Sequence, residues 1–60
     1  MADRKIAEEN AGDFHFELLK RGDGRYACMR SDVSAPAHLE EVTELKDIPP
    51  KVLSIFNKLM

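Results

Sequence analysis

The chain has one cysteine, Cys28, in sixty residues. An internal disulfide is therefore excluded, and with it the covalent cross-link that stabilises many small secreted domains. The sequence also lacks an apolar run as long as a signal peptide or a membrane span requires. These absences predict a cytoplasmic protein that does not enter a membrane.

Sequence motifs with known chemistry are missing as well. There is no Gly-rich phosphate loop, Cys-x-x-Cys pair, His-Glu-x-x-His sequence or nucleophile elbow. His15, Cys28 and His38 are the only soft metal ligands, whereas a structural zinc site usually takes four ligands. A cysteine nucleophile with a histidine base would need a concave pocket, which so short a chain hardly offers. We therefore predict no metal, no cofactor and no enzymatic activity.

The short length limits both domain number and stability. Sixty residues are enough for one domain. A chain of this size buries only ~60% of its unfolded surface, and one small core rarely supplies more than ~3–5 kcal/mol. With disulfides and metals set aside, association is the remaining source of stability. We therefore predict a protein partner, a homodimer, or both.

The sequence from Phe14 to Ser31 is typical of a β-hairpin. Phe16 and Leu18 alternate with polar residues, which is the period of a strand with one buried face. Asp23-Gly24 follows, and this pair favours a tight turn because both residues tolerate positive φ better than most.

Two loop lengths would suit this hairpin, a two-residue loop at Asp23-Gly24 or a four-residue loop over residues 21–24. Both give the same distribution of side chains, because only an odd loop would turn one strand over. One face, predicted to be the core face, then carries Phe14, Phe16, Leu18, Ala27 and Met29. The other face carries His15, Leu19, Tyr26 and Cys28.

The segments around the hairpin are less distinctive. Residues 1–13 are polar and predict a flexible arm or a short helix, leaving residues 14–60 as the folded domain. In residues 35–46, Leu39, Val42 and Leu45 recur every three residues, which predicts a helix capped by Ser34. A third antiparallel strand beside the hairpin is the alternative, since a lone hairpin is weak.

The C-terminal segment is the clearest helix in the sequence. Two consecutive prolines place its first residue at Pro50, because each proline disfavours the helical conformation of the residue before it. Apolar residues then recur with helical spacing on a broad face: Val52, Leu53, Ile55, Phe56, Leu59 and Met60.

Together these elements predict a small α+β fold, a β-hairpin packed by a C-terminal helix. The predicted core consists of Phe14, Phe16, Leu18, Ala27, Met29, Leu39, Val42, Leu45, Ile48, Val52, Ile55, Phe56 and Leu59.

Two functional hypotheses follow from these observations. The first is a small protein-binding module, of inhibitor or adaptor type, that acts through surface contacts and self-associates. Its predicted contact residues are Leu19, Tyr26, Cys28, Leu53 and Met60.

The alternative hypothesis is a regulator that binds nucleic acid. Residues 14–31 carry a net positive charge although the whole chain has a net charge of −2. A basic hairpin tip can contact phosphates, and Tyr26 can stack on a base. The residues predicted for this role are Lys20, Arg21, Arg25 and Arg30.

Overall fold

A computed structural model describes residues 3–60 of the chain, so the first two residues of the predicted arm lie outside the described part. The described chain forms a four-stranded antiparallel sheet, with the strands side by side in sequence order, and one C-terminal helix. This architecture confirms the predicted α+β class. The elements are β1 (Arg4–Ala11), β2 (Phe14–Lys20), β3 (Tyr26–Asp32), β4 (Glu40–Glu41), a 3-10 turn (Leu45–Asp47) and α1 (Pro50–Leu59).

Residues 4–11 form an edge strand, β1, so the expectation of a flexible arm or short helix there is wrong. The residues of β1 that share the face of Phe16 and Leu18 include Ala7 and Ala11, which pack against the core. These small side chains leave room for α1, which contacts β1. They also explain why the sequence shows no apolar alternation strong enough to identify a strand.

The turn between β1 and β2 consists of Gly12 and Asp13, because Ala11 pairs with Phe14. Gly12 has a φ of 62°, and no non-glycine residue of the described chain has positive φ. A two-residue hairpin loop with positive φ only at its first position has the pattern of a type II′ turn, which favours glycine there. Gly12 and Asp13 therefore close a hairpin between β1 and β2.

The β2–β3 hairpin is present, but the two predicted loop lengths are wrong. The loop has three residues, Gly22–Gly24, between Arg21 and Arg25. The backbone N–H of Arg21 donates to the carbonyl of Arg25 over 2.7 Å, and Gly24 has a φ of 88°. A three-residue loop ending in a left-handed residue is a common hairpin connection with a bulge.

This odd loop turns β3 over relative to the predicted arrangement. Leu18 lies opposite Cys28, and Leu19 lies opposite Ala27. Directly paired residues point to the same face of an antiparallel sheet. The face with Phe14, Phe16 and Leu18 therefore carries Tyr26, Cys28 and Arg30. The opposite face, here called the outer face, carries His15, Glu17, Leu19, Ala27, Met29 and Ser31.

Residues 33–49 do not contain the predicted helix. The backbone makes turns after Asp32, with the N–H of Ala35 donating to the Asp32 carbonyl over 3.0 Å, so Ser34 caps no helix. It then runs along β3 as the two-residue strand β4, in which Glu40 pairs with Arg30. The strand alternative is thus partly confirmed. Leu39, Val42 and Leu45 would have given a helix only a narrow apolar face to pack on the sheet. The segment instead pairs with the free edge of β3.

The helix α1 begins at Pro50 as predicted, and its Val52 and Phe56 are buried. They form the core with Phe16, Leu18 and Ile48. All five belong to the predicted core, as does Ala27, which is buried although its strand register places it on the outer face. The predicted core residues Phe14, Leu45 and Leu59 are instead exposed, while Met29, Leu39, Val42 and Ile55 are half-buried.

Among residues 3–60, no helix combines the length and apolar character needed to cross a membrane.

Candidate functional site

A groove of about 370 Å³ lies between β3, the chain that follows β4, and α1. Four segments form it: Leu18 of β2, the start of β3, residues 41–48, and the C-terminal segment with Leu53 and Phe56 of α1 and Met60 just after it. The two-residue β4 pairs with Met29 and Arg30, and the N–H of Val42 donates to the Cys28 carbonyl over 2.8 Å. This leaves the first residues of β3, Tyr26 and Ala27, without a neighbouring strand on this side. Because the chain bends away from β3 after Val42, an apolar recess remains open at the sheet edge.

Four of the five predicted partner-binding residues line this groove: Tyr26, Cys28, Leu53 and Met60. The odd hairpin loop is responsible, because it turns Tyr26 and Cys28 toward the face on which α1 packs. Leu19 lies on the outer face and takes no part. Leu45 also lines the groove with 69% of its surface exposed. It was missed because the three-residue spacing placed it in a buried helix stripe.

Partial burial raises the pKa of the Cys28 thiol above its usual range, since the charged thiolate is penalised by desolvation. The thiol therefore stays protonated near neutral pH and is a poor nucleophile. The prediction that His15 shares a face with Cys28 is wrong, because His15 lies opposite Ser31 on the outer face. His15 thus cannot act as a base for this thiol, and the two residues cannot bind one metal.

The segment of residues 40–47, part of which lines the groove, is rich in carboxylates. Glu41 accepts a hydrogen bond from Arg21, and Glu44 lies 3.1 Å from the ammonium group of Lys46. Over residues 40–47 the chain carries four carboxylates against Lys46. Of these carboxylates, Glu41 lines the groove and is paired with Arg21, and the other three lie outside the lining.

Three of the four basic residues of the alternative hypothesis, Lys20, Arg21 and Arg25, lie at the loop end of the hairpin, and Arg30 lies further along β3. Lys20 lies over the Tyr26 ring, 5.7 Å from its centroid, at the loop end of the hairpin. Arg30 lies 5.0 Å from the Phe14 ring centroid, four residues further along β3 from Tyr26. Arg21 is engaged by Glu41, and Arg25 lies 3.8 Å from a carboxylate oxygen of Asp23. Each cation thus has a neighbouring aromatic ring or carboxylate.

A second group of polar side chains lies on the outer face, where β1 pairs with β2. Nε2 of His15 is 2.9 Å from Oε2 of Glu17 and 3.5 Å from Oε2 of Glu8. The other ring nitrogen, Nδ1, is 2.5 Å from the side-chain oxygen of Asn10. Lys5 lies 3.1 Å from the same Glu8 oxygen. Its hydrogen bond to Glu8 and the charge of Glu8 raise the pKa of Lys5, with a smaller effect from Glu17.

Sequence reasoning missed this outer-face cluster because Glu8 was placed in an arm rather than in a strand. His15 and Glu17, two residues apart on a predicted strand, were the available signal that two potential ligands share one face. Only the register of β1 against β2, which pairs Glu8 with Glu17 and Asn10 with His15, brings the remaining side chains beside them.

Comparison of the chain with protein-family models, with curated proteins and with solved structures found no match.

Proposed function

We propose that this protein is a small non-enzymatic binding module of the cytoplasm, of inhibitor or adaptor type. It acts by holding apolar side chains of a partner polypeptide in the groove between β3 and α1. The observation that carries the proposal is the position of Tyr26, Cys28, Leu53 and Met60 around one recess. The recess is within the size range of small binding pockets, about 300–1,000 Å³.

The groove also favours a polypeptide as its occupant. It opens beside the unpaired start of β3, where an extended segment can add main-chain hydrogen bonds to the side-chain contacts. Leu45 and Met60 are exposed at its rim and are available as apolar contacts. A buried apolar anchor surrounded by contacts that exclude water is the usual energetic centre of such an interface.

The charge beside the groove indicates which kind of partner segment should bind. The carboxylate-rich residues 40–47, which reach the groove through Glu41, favour a segment whose apolar anchor residues are flanked by lysine or arginine, because complementary charges accelerate association and exclude acidic competitors. Binding should therefore weaken as ionic strength rises, but only moderately, since the groove itself is apolar.

The proposal is tested with a matched pair of leucine substitutions. Leu45→Glu alters an exposed groove residue, and Leu59→Glu alters a leucine at the end of α1 that is 46% exposed and outside the groove lining. Both variants should remain folded by circular dichroism, because neither leucine is buried. Partner affinity should fall about tenfold or more for Leu45→Glu, which corresponds to about 1.4 kcal/mol, and stay near wild type for Leu59→Glu.

The partner is first recovered with the tagged protein from a cytosolic extract, with and without nuclease, and identified by mass spectrometry. Support requires a nuclease-resistant partner that is lost with Leu45→Glu and retained with Leu59→Glu. Equal recovery with both variants would show that the groove is not the contact surface. Loss of every partner on nuclease treatment would favour the alternative hypothesis, nucleic-acid binding through the hairpin.

A second copy of the chain is the competing occupant of the groove. Sedimentation of the isolated protein distinguishes it, because a groove-mediated homodimer should dissociate to monomers in Leu45→Glu and persist in Leu59→Glu. A wild-type monomer would leave the groove free for a different polypeptide.

Cys28 reports on groove occupancy without any substitution. A thiol reagent should modify it slowly in the free protein, because its raised pKa leaves little thiolate at neutral pH. Addition of the purified partner should slow the modification further, whereas an unchanged rate would show that the partner binds elsewhere.

A further inference from the structure

The cluster on the outer face has the donor set and the geometry of a small cation site. Nε2 of His15 and one carboxylate oxygen each from Glu8 and Glu17 all lie within 4.8 Å of one another. We propose that these three residues bind a divalent first-row transition-metal ion, with zinc as the representative. The site lies on the opposite side of the sheet from the groove, so the inference does not depend on the proposed function.

The tautomer of His15 is the first argument. The side-chain oxygen of Asn10 accepts a hydrogen bond from Nδ1–H of His15, so in the neutral ring Nε2 carries a lone pair. Nε2 faces the carboxylates of Glu17 and Glu8 and lies within hydrogen-bond distance of Glu17, so a metal ion would take the place of the Nε2 proton in this contact. A cation between them satisfies all three acceptors at once. Metal-binding histidines commonly have their other ring nitrogen fixed by such a second partner.

The distances are the second argument. Zinc binds histidine nitrogen at about 2.0–2.1 Å and carboxylate oxygen at about 2.0–2.2 Å, which places two ligands of a tetrahedral ion about 3.4 Å apart. The distances from His15 Nε2 to the Glu8 and Glu17 oxygens, 3.5 Å and 2.9 Å, lie close to this value. Small rotations of the side chains therefore suffice to enclose the ion, and water completes its coordination.

Lys5 is the built-in competitor for this site. Its ammonium group hydrogen-bonds the Glu8 oxygen that faces His15, so it must move away when a metal ion binds. Lys5 is exposed and held by a surface ion pair, which solvent screens. Moving Lys5 away from Glu8 therefore costs little free energy, and removal of the lysine charge should strengthen metal binding.

The consequence of the site is structural. Glu8 belongs to β1, whereas His15 and Glu17 belong to β2. A shared metal ion would cross-link the edge strand to the centre of the sheet, and small chains without disulfides commonly gain stability in this way. Because only the folded chain brings the three ligands together, metal binding must raise the melting temperature.

The test uses the full chain, freed of metal with a chelator and titrated with zinc chloride. Calorimetry should show one zinc ion bound per chain, and the melting temperature should rise with zinc concentration. Glu8→Gln should lower zinc affinity about tenfold or more without unfolding the protein, because the Glu8 side chain is 54% exposed. Glu17→Gln should do the same, and Lys5→Met should increase zinc affinity.

His38→Gln is the matched control, because His38 is the other histidine of the chain and is exposed. It should leave zinc binding unchanged, while His15→Gln should abolish it. Asn10→Ala should lower zinc affinity about 10–100-fold, as expected when the partner that orients a metal-binding histidine is removed.

Two results would overturn the proposal. One is a wild-type chain that shows neither binding heat nor a rise in melting temperature with zinc. The cluster would then be a set of polar contacts among His15, Asn10 and the two carboxylates that holds no metal ion. The other is zinc binding that is retained in His15→Gln or lost in His38→Gln, which would place the ion elsewhere.

Discussion

The two faces of this sheet differ in how their side chains are stabilised. The face toward α1 holds the apolar core, in which Phe16 and Leu18 pack against Val52 and Phe56. Within residues 3–60 no helix covers the outer face, which combines half-buried apolar residues such as Leu19 with the polar cluster around His15. One face therefore depends on burial, and the other depends on pairing between adjacent strands.

The comparison shows that a shift of one residue in strand register changes which side chains are buried in a small sheet. Leu18 and Leu19 are neighbours in sequence and chemically identical, yet only Leu18 belongs to the core. The same alternation places Cys28 in the groove and Met29 on the outer face. A groove for a partner and a polar cluster can thus be built from consecutive residues of the same two strands.

The largest difference between the faces should appear when each leucine is replaced. Leu18→Ala leaves a cavity at a side chain that is 2% exposed, and should cost about 2–5 kcal/mol of unfolding free energy. Since a core of this size supplies only about 3–5 kcal/mol, much of the variant should be unfolded. Leu19→Ala, on the outer face, should cost about 1 kcal/mol. Urea denaturation measures both, and equal costs would contradict the observed register.

The three-residue loop that sets this register should be the next most sensitive feature. Gly24→Ala would force a side chain into positive φ, costing about 1–2 kcal/mol. A Cβ at Gly24 would meet no atom within 4 Å, so the whole cost is conformational. Gly22→Ala is the control, because Gly22 lacks positive φ, and it should be neutral or slightly stabilising. Thermal unfolding of the two variants checks this, and a destabilised Gly22→Ala would place the strain elsewhere in the loop.

A substitution on the outer face should raise the unfolding free energy instead of lowering it. The hydroxyl of Ser31 is buried, with 4% of the residue exposed, and finds no hydrogen-bond partner among residues 3–60. Ser31→Ala removes this unsatisfied group, so unfolding free energy should rise by up to about 1 kcal/mol. Ser54→Ala, on the exposed side of α1, is the comparison and should change stability by no more than about 0.5 kcal/mol. Destabilisation by Ser31→Ala would indicate a bound water at the hydroxyl.

The smallest effect should come from the surface ion pair that joins the hairpin end to β4. Arg21 and Glu41 are both more than a third exposed, so solvent screens their attraction. A double-mutant cycle with Arg21→Ala and Glu41→Ala should give a coupling energy of about 0.2–1 kcal/mol, falling further in high salt. A larger, salt-independent coupling would show that β4 depends on this contact more than on its backbone pairing.

The sequence alone determined the elements with strong local signals. Alternation in β2, the glycine-containing turn and the helix that starts at Pro50 all depend on interactions within a few residues of one another. The existence of these elements, the α+β class and most of the buried core were therefore predictable from the sequence. The groove residues Tyr26, Cys28, Leu53 and Met60 were also selected from the sequence, although for a surface whose shape was not known.

Tertiary structure decided what local signals could not. Residues 4–11 became a strand because β2 offered an edge and α1 needed small side chains beneath it, and neither reason is visible in the segment itself. Local signals predicted a hairpin loop of two or four residues, whereas the loop has three. Packing of the whole sheet decided this length, and with it the register of β3. That selection separated His15 from Cys28, assembled the groove, and brought Glu8 and Asn10 beside His15, because side chains from different strands meet only after register is fixed.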